Sequence, residues 1–170
     1  MVLKPQDVLV VLKLLSKESV GKSYAWLAEA LGMSPSEVHA AVRRAAAAGL
    51  VSPDREPNAR ALCEFVLHGL RYVFVAELGA VTRGFPTAYA APPLSEQITP
   101  GQDLPPVWPD PDGPVRGEAC QPLYPAAVGA ARRDSALYEL LALVDAVRIG
   151  RARERRLAEK LLRERICPSD

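Results

Sequence analysis

The start of the chain shows a helical spacing of hydrophobic positions. Along residues 3–16 apolar side chains recur three or four positions apart, at Val8, Val11, Leu12 and Leu15. Pro5 suits the first turn of a helix, where its missing amide hydrogen has no intrahelical partner. The pattern predicts a first helix over residues 3–16 that packs as part of the core.

A second apolar pattern, between Tyr24 and Val51, is broken by a turn signal. The positions expected to be buried before and after the break are Leu27, Ala28, Leu31, Met33 and Val38. Gly32 can take the positive φ that closes a helix, and Ala28 lets two helices approach closely. Ser34 is a typical N-cap, followed by Pro35 and by Glu37 at the capping-box position. The segment predicts two helices joined by a short turn.

The second of these helices has one apolar and one polar side. The residues expected to face inward are Val38, Ala41, Val42 and Ala45, and those expected to face outward are Ser36, His39, Ala40, Arg43 and Arg44. A polar outer side of this kind is what a recognition helix presents to the DNA major groove. A helical hairpin used for packing is the alternative.

Residues 5–55 resemble the winged helix-turn-helix domains of bacterial transcription regulators of the MarR type, with Ala48-Gly49-Leu50-Val51 leading toward the wing. The resemblance implies binding to double-stranded DNA. Arg43 is then the candidate for a bidentate contact with guanine. The other candidate DNA-binding residues are Ser36 and His39 for bases or phosphates, Ser34 and Arg44 for phosphates, and Lys22, Ser23 and Tyr24 at a helix start. Trp26 is expected to pack on the first helix.

After Val51 the resemblance weakens, because residues 52–58 are too short and too rich in proline for a full wing hairpin. We therefore expect a reduced or absent wing, with Arg55 as a solvated loop residue. Residues 59–70 instead predict a helix that buries Leu62, Phe65, Val66 and Leu70. Residues 71–76 are the best candidate for a β-strand.

Eleven of the sixteen prolines lie in residues 86–125, which predicts that no regular element persists there. Apolar residues are nevertheless too frequent for a solvated linker; they include Phe85, Leu94, Val107, Trp108 and Leu123. We therefore expect residues 73–125, called the arm below, to be ordered and to wrap either this fold or a partner subunit. Asp103, Asp110 and Asp112 match no calcium loop and are interpreted as turn residues.

Helical spacing returns in the C-terminal part of the chain. Residues 134–149 carry one apolar stripe, Leu137, Leu140, Leu141, Val144 and Val147, and a second helix is expected after Gly150. With the arm, this stripe is the surface we assign to dimerisation. Arg148, Arg151 and Arg155 are the candidate partner-binding residues. A second basic side comprises Arg153, Arg156, Lys160 and Arg163. Together the two sides could bind phosphates, acidic groups of a protein or RNA, and solvated charge is the alternative for both.

Two segments that follow the helix-turn-helix are similar to regulator-like proteins of toxin-antitoxin or phage-defence operons. They are FVAELGAVTRGFPTAYAAPPL and LYELLALVDAVRIGRARERRLAEKLL. The resemblance implies an antitoxin-like role with a toxin-like protein partner.

Composition narrows the classes of function. A net charge of +1 over 170 residues argues against indiscriminate coating of nucleic acid and favours two copies on one site. Three cysteines without C-x-x-C spacing predict neither a disulfide nor a zinc site, which indicates a reducing cytoplasm. No export signal, membrane span, phosphate loop or metal-ligand cluster is found. We expect a protein with no catalytic activity, metal or cofactor.

These observations predict a mainly α fold with a winged-helix-like helix-turn-helix head with a reduced wing (residues 1–72), a proline-rich extended arm (residues 73–125) and a C-terminal helical pair (residues 126–170). The predicted function is that of a sequence-specific DNA-binding transcriptional regulator acting as a homodimer in the cytoplasm. The alternative is an antitoxin-like module that binds and neutralises a partner protein.

Overall fold

The chain forms eight α-helices and three short β-strands in the computed structural model, which describes residues 1–169. The helices are α1 (Pro5–Leu14), α2 (Tyr24–Leu31), α3 (Pro35–Ala47), α4 (Ala59–His68), α5 (Leu70–Val73), α6 (Ala126–Arg133), α7 (Ser135–Ile149) and α8 (Ala152–Ile166). The strands are β1 (Leu78–Pro86), β2 (Pro106–Pro109) and β3 (Val115–Cys120). The predicted mainly α class is confirmed, and a small sheet is added to it.

Helix α1 lies at the centre of the molecule. Every side chain from Asp7 to Leu14 is buried, because α3 and α7 both pack against this helix. The sequence predicted one apolar stripe here, whereas burial extends around the whole helix. Two buried charged residues, Asp7 and Lys13, lie on it and need partners, because an unpaired charge in a low-dielectric interior is costly.

Helices α2 and α3 are joined by the turn that the sequence predicted. Gly32 ends α2 in the left-handed conformation, at φ 65° and ψ 34°. Ser34 then caps α3, with Pro35 in the first turn. The side chains expected to face inward on both helices are buried: Leu27, Ala28, Leu31, Met33, Val38, Ala41, Val42 and Ala45. Local signals were sufficient here, because caps and turns depend on nearby residues.

The segment between α3 and α4 is short, as expected. Val51 and Pro57 form one isolated antiparallel bridge around a turn, and Arg55 in that turn has a positive φ of 65°. Helix α4 follows, capped by Asn58, and its predicted apolar residues Leu62 and Val66 are buried.

The strand predicted over residues 71–76 was wrong. Residues Leu70–Val73 form the short helix α5, and strand structure begins at Leu78. Leu70 is fully buried and Phe74 packs edge-on against Phe65 of α4, with ring centroids 6.2 Å apart. These contacts hold the chain against α4 and override the strand propensity of Tyr72-Val73-Phe74-Val75.

The prediction that no regular element persists in residues 86–125 was also wrong. Strand β1 pairs antiparallel with β2 and with β3, and β2 pairs parallel with β3, so the three strands close on themselves. Prolines 106 and 109 are tolerated because they stand at the ends of β2. Gly84 and Gly117 permit the tight packing, since a Cβ on either would collide with the carbonyl of Trp108 or Pro105.

The arm is ordered and packs on its own chain, which is one of the two arrangements that the sequence left open. Its anchor is the buried carboxylate of Asp145 on α7. That carboxylate accepts 2.7 Å hydrogen bonds from the Trp108 indole and the Thr87 hydroxyl, and a 2.9 Å ion-paired bond from Arg148. The network fixes the arm to α7 through groups far apart in sequence.

Helices α7 and α8 confirm the predicted helical pair on either side of Gly150. Most of the predicted α7 stripe is buried inside this chain, at Leu137, Leu141, Val144 and Val147, while Leu140 is half-buried. The arm is likewise packed on its own fold. Most of the apolar surface that we assigned to dimerisation is therefore buried within one protomer. The exposed exceptions are five large apolar residues of the arm: Val73, Val75, Leu78, Val81 and Leu104.

The prediction that the cysteines form no disulfide was wrong. Cys63 of α4 and Cys167, just after α8, are joined with their Cα atoms 5.4 Å apart. The two residues are separated by 104 positions, so no local spacing could indicate the pair. Cys120 remains free and buried, and burial raises the pKa of its thiol.

Candidate nucleic-acid interface

The outer side of α3 is exposed along its length, opposite the side that packs into the core. Ser36, His39 and Arg43 all lie on it, as predicted, and each is exposed. Their positions follow from the packing of Val38, Ala41, Val42 and Ala45, which fixes the rotation of the helix about its axis. In residues 1–169, Arg43 has no hydrogen-bonded or ion-paired partner, so its guanidinium is available to a ligand.

The N-terminus of α3 is already satisfied by its own side chains. The Ser34 hydroxyl accepts a 3.2 Å bond from the Glu37 amide, and Glu37 accepts a 2.8 Å bond from the Ser34 amide. Tyr124, from the end of the arm, donates a 2.8 Å bond to the same carboxylate. These bonds lower the pKa of Glu37, chiefly those from Ser34, so the carboxylate is charged at neutral pH. A phosphate is therefore disfavoured at this end of α3, and the phosphate contact predicted for Ser34 has little support.

Arg44 does not lie on the outer surface in the way the sequence predicted. Its Nε and Nη2 atoms donate to both carboxylate oxygens of Asp7, at distances of 2.7 to 3.2 Å. Hydrogen bonding to Asp7 raises the pKa of Arg44. The guanidinium is held against α1 because Asp7 is fully buried and carries a charge that needs a partner. We correct the assignment: Arg44 positions α3 and is not a phosphate contact.

The start of α2 lies beside the outer side of α3. The Tyr24 and His39 rings are 4.9 Å apart at their centroids, which brings together two predicted contact residues. The Ser23 hydroxyl caps α2 by accepting a 3.1 Å bond from the Trp26 amide. Lys22 is exposed, with its ammonium 5.4 Å from the half-buried Trp26 ring. Trp26 packs against the core, as expected.

Arg55, interpreted from the sequence as a solvated loop residue rather than a minor-groove or phosphate contact, lies at the edge of this surface. Its guanidinium lies 4.6 Å from the Tyr24 ring centroid and donates a 3.0 Å bond to the Lys22 carbonyl. The short turn after Val51 therefore folds back toward α2. The direction of the Arg55 side chain could not be read from the sequence, because it depends on the conformation of this turn. Tyr124 could not have been found, because it meets Glu37 across 87 positions.

Together these residues form one surface, which we call the α3 surface: Lys22, Tyr24, Ser36, His39, Arg43 and Arg55. It contains three permanent positive charges, one histidine, a hydroxyl and an aromatic ring. Arginine and lysine suit phosphates and guanine edges, and a hydroxyl can donate to either. The acidic groups in its vicinity are Glu37 at the α3 N-terminus and Asp54 and Glu56 in the turn with Arg55.

The three arginines predicted to bind a partner protein have different environments. Arg148 is nearly buried: it pairs with Asp145 and donates a 2.9 Å bond to the Phe74 carbonyl. It is part of the arm anchor, so its assignment as a partner-binding residue was wrong. Arg155 is half-buried and faces the Gly150 carbonyl at 3.4 Å. Arg151 is 85% exposed, with Asp103 3.8 Å away.

The second basic side predicted on α8 is exposed at all four positions: Arg153, Arg156, Lys160 and Arg163. These residues are three or four positions apart and share one side of the helix. The opposite side packs through Ala158, Leu161, Leu162 and Ile166. The exposed cationic side of the C-terminal helices therefore lies at these four positions of α8 rather than at Arg148 of α7.

The thiol of Cys63 is joined to Cys167, so its sulfur is not available as a nucleophile. Within residues 1–169, no group of three or more His, Cys, Asp or Glu residues is placed to hold a metal ion. None of the helices in that range is long and apolar enough to cross a bilayer.

Comparison with protein-family models, with curated proteins and with solved structures gave no match to this chain. The interpretation of the α3 surface therefore depends on its own geometry and chemistry.

Proposed function

We propose that the chain is a sequence-specific DNA-binding transcriptional regulator, with α2 and α3 as a helix-turn-helix in a winged-helix-like head whose wing is reduced to the turn around Arg55. The observation that supports it best is the two-sided character of α3. One side is buried in the core, and the other presents Ser36, His39 and Arg43 to solvent. A helix exposed in this way can enter a major groove with its base-contacting side chains outward.

The roles of individual residues follow from their positions. Arg43 is the base-contacting residue, because its free fork of donors matches the two acceptors of guanine. His39 lies about one turn and Ser36 about two turns N-terminal to it, and both contact neighbouring bases or phosphates. Lys22 and Arg55, at the edge of the surface, contact phosphates and thereby fix the orientation on the duplex.

The test uses the full chain and duplexes that it selects from a random-sequence pool at low salt. Wild-type protein is expected to enrich a common sequence, and Arg43→Ala is expected to lose about 1 to 3 kcal/mol on that sequence and to discriminate less at one base pair. Arg153→Ala, an exposed arginine on α8, is the matched control and should bind normally. Failure of the wild-type chain to retain any duplex at low salt would overturn the proposal.

The exposed basic side of α8 supports a second candidate, the antitoxin-like module that binds a partner protein. Four cations on one side of a helix suit an acidic protein surface. A pull-down with the full chain from its host would compare wild type with Arg153→Glu/Arg156→Glu. A partner lost in that variant, together with unchanged binding to DNA, would support this role alongside the first.

The proposed location is the cytoplasm, where a regulator would meet DNA. The observation that counts against it is the Cys63–Cys167 bond, because disulfides persist in oxidising compartments and are usually transient or regulatory in a reducing one. Mass spectrometry of the thiols in protein taken from intact cells measures which state is present.

A further inference from the structure

The largest run of exposed apolar side chains lies between α5 and β1. Five large apolar residues in ten positions are 44% to 66% exposed: Tyr72, Val73, Val75, Leu78 and Val81. Single exposed apolar residues are ordinary on a protein surface, but a contiguous group marks an interaction site. We call residues 72–81 the apolar segment.

The apolar segment is held in place from behind. Phe74 packs edge-on against Phe65, and its carbonyl accepts a 2.9 Å bond from the buried guanidinium of Arg148. Further along, Leu78 and Val81 are paired with Cys120 and Glu118 of β3. The neighbours of these side chains are thus anchored, and their exposure is a fixed property of the surface.

Strand β1 also has an unpaired edge in this segment. Strand β3 pairs along residues 78–84, whereas β2 joins β1 at Gly84, Phe85 and Pro86. In the described part of the chain no strand pairs with the other edge of residues 78–82. Such an edge is a template for another strand. No lysine or proline occurs between Leu78 and Val81, although the pairing with β3 has a bulge there.

We propose that the apolar segment is the interface with a second copy of this chain, related to the first by a two-fold axis near Ala80. When two copies of β1 run antiparallel about Ala80, Glu77 of each faces Arg83 of the other. The opposite charges therefore match at both ends. Gly79 and Ala80, at the bulge in the centre, have no side chain larger than a methyl group and permit close approach.

The exposed area is at the low end for a protein interface. The five side chains offer roughly 500 Å² per copy, so two facing segments bury at most about 1,000 Å², the size of a weak specific contact. This assignment rests on the proposed function in one respect, that a two-fold DNA site calls for two recognition helices. It keeps part of the arm as the dimer interface but confines the contact to its exposed residues, away from the α7 stripe and the arm residues that the monomer buries.

The test is sedimentation of the full chain without DNA. Wild-type protein is expected to be a dimer at micromolar concentration, and Val75→Glu and Val81→Glu are expected to be folded monomers. Val2→Glu, at a still more exposed apolar position outside the segment, should leave the dimer intact. Circular dichroism checks that each variant is folded.

A charge exchange tests the alignment. Glu77→Arg should weaken the dimer at least about tenfold by placing like charges opposite each other, and Glu77→Arg/Arg83→Glu should restore most of that loss. A wild-type monomer, or a monomer that uses the segment to bind another protein, overturns the inference, as does a dimer indifferent to Val75→Glu and Val81→Glu. A monomer that still binds DNA leaves the proposed function intact, and a dimer without DNA binding leaves the interface intact.

Discussion

The guanidinium of Arg44 is paired with the fully buried carboxylate of Asp7, 37 positions earlier in the chain. The bond connects the inner side of α3 to α1, the most buried helix of the protein. Arg43, the residue before Arg44, points outward and has no ion-paired partner among residues 1–169. Of these two adjacent arginines, Arg44 holds α3 against α1, and Arg43 is exposed and available to a ligand.

This arrangement predicts a contrast between the two arginines. Arg44→Ala should lower the free energy of unfolding by about 3 to 5 kcal/mol, because it leaves the charge of Asp7 buried without a partner. Arg43→Ala, the matched control, should stay within about 0.5 kcal/mol of wild type. Urea titration of both variants measures the difference. Equal stabilities would show that the ion pair does not hold α3.

A second prediction concerns how the stability contributed by the Lys13–Asp134 ion pair depends on pH. Burial opposes the charge on Lys13, but hydrogen bonds to Asp134 and Glu18 raise its pKa above 10.5 overall. The pKa of Asp134 is lowered below 3.8, because its bonds to Lys13 and to the Leu137 amide outweigh the effect of burial. Stability from Asp134 is thus present above pH 3.8 and is lost as pH falls through its folded pKa; that from Lys13 is present below pH 10.5 and is lost at higher pH.

The variant Asp134→Asn isolates the acidic part of this dependence. It should lose about 2 kcal/mol at neutral pH, because Lys13 keeps Glu18 as a partner, and its stability should change less than that of wild type between about pH 4 and pH 2. Thermal melts across that range give the comparison. Glu139→Gln, which alters a more exposed ion pair with Arg165, serves as the control. Parallel curves for wild type and Asp134→Asn would contradict the assignment.

A third prediction concerns the anchor of the arm. Asp145→Ala should cost about 3 to 5 kcal/mol, because it leaves the Arg148 guanidinium buried without a counter-charge. Trp108→Phe keeps the ring and removes one hydrogen bond, so about 1 to 3 kcal/mol is expected. Hydrogen exchange of the β1, β2 and β3 amides should rise in both variants while that of α2 and α3 changes little. Uniform loss of protection over the whole chain would show that the arm has no separate anchor.

The disulfide gives a fourth prediction. Cys63→Ser should lower the free energy of unfolding by about 2 to 5 kcal/mol, because the bond closes a long loop and limits the unfolded chain. Wild-type protein treated with a dithiol reductant should show the same melting temperature as the variant. If reduction changes the wild type but leaves Cys63→Ser lower still, the serine itself disturbs the packing of α4.

The sequence by itself determined the elements whose signals are local. The Gly32 turn, the Ser34 cap and the inward residues of α2, α3 and α4 were predicted correctly, because a cap or a helical stripe depends on residues within one or two turns. The outward positions of Ser36, His39 and Arg43 followed from the same periodicity. Gly150 likewise marked the boundary between α7 and α8.

The tertiary structure alone decided which partners the distant groups find. The sequence predicted that Arg44 and Arg148 would be surface cations. Each instead pairs with a buried carboxylate, Asp7 or Asp145, because an unpaired buried charge costs more free energy than the conformational entropy that an arginine side chain loses. The strands of the arm, the Cys63–Cys167 bond and the contact of Tyr124 with Glu37 were hidden for a related reason. Each depends on residues brought together by packing rather than by spacing along the chain.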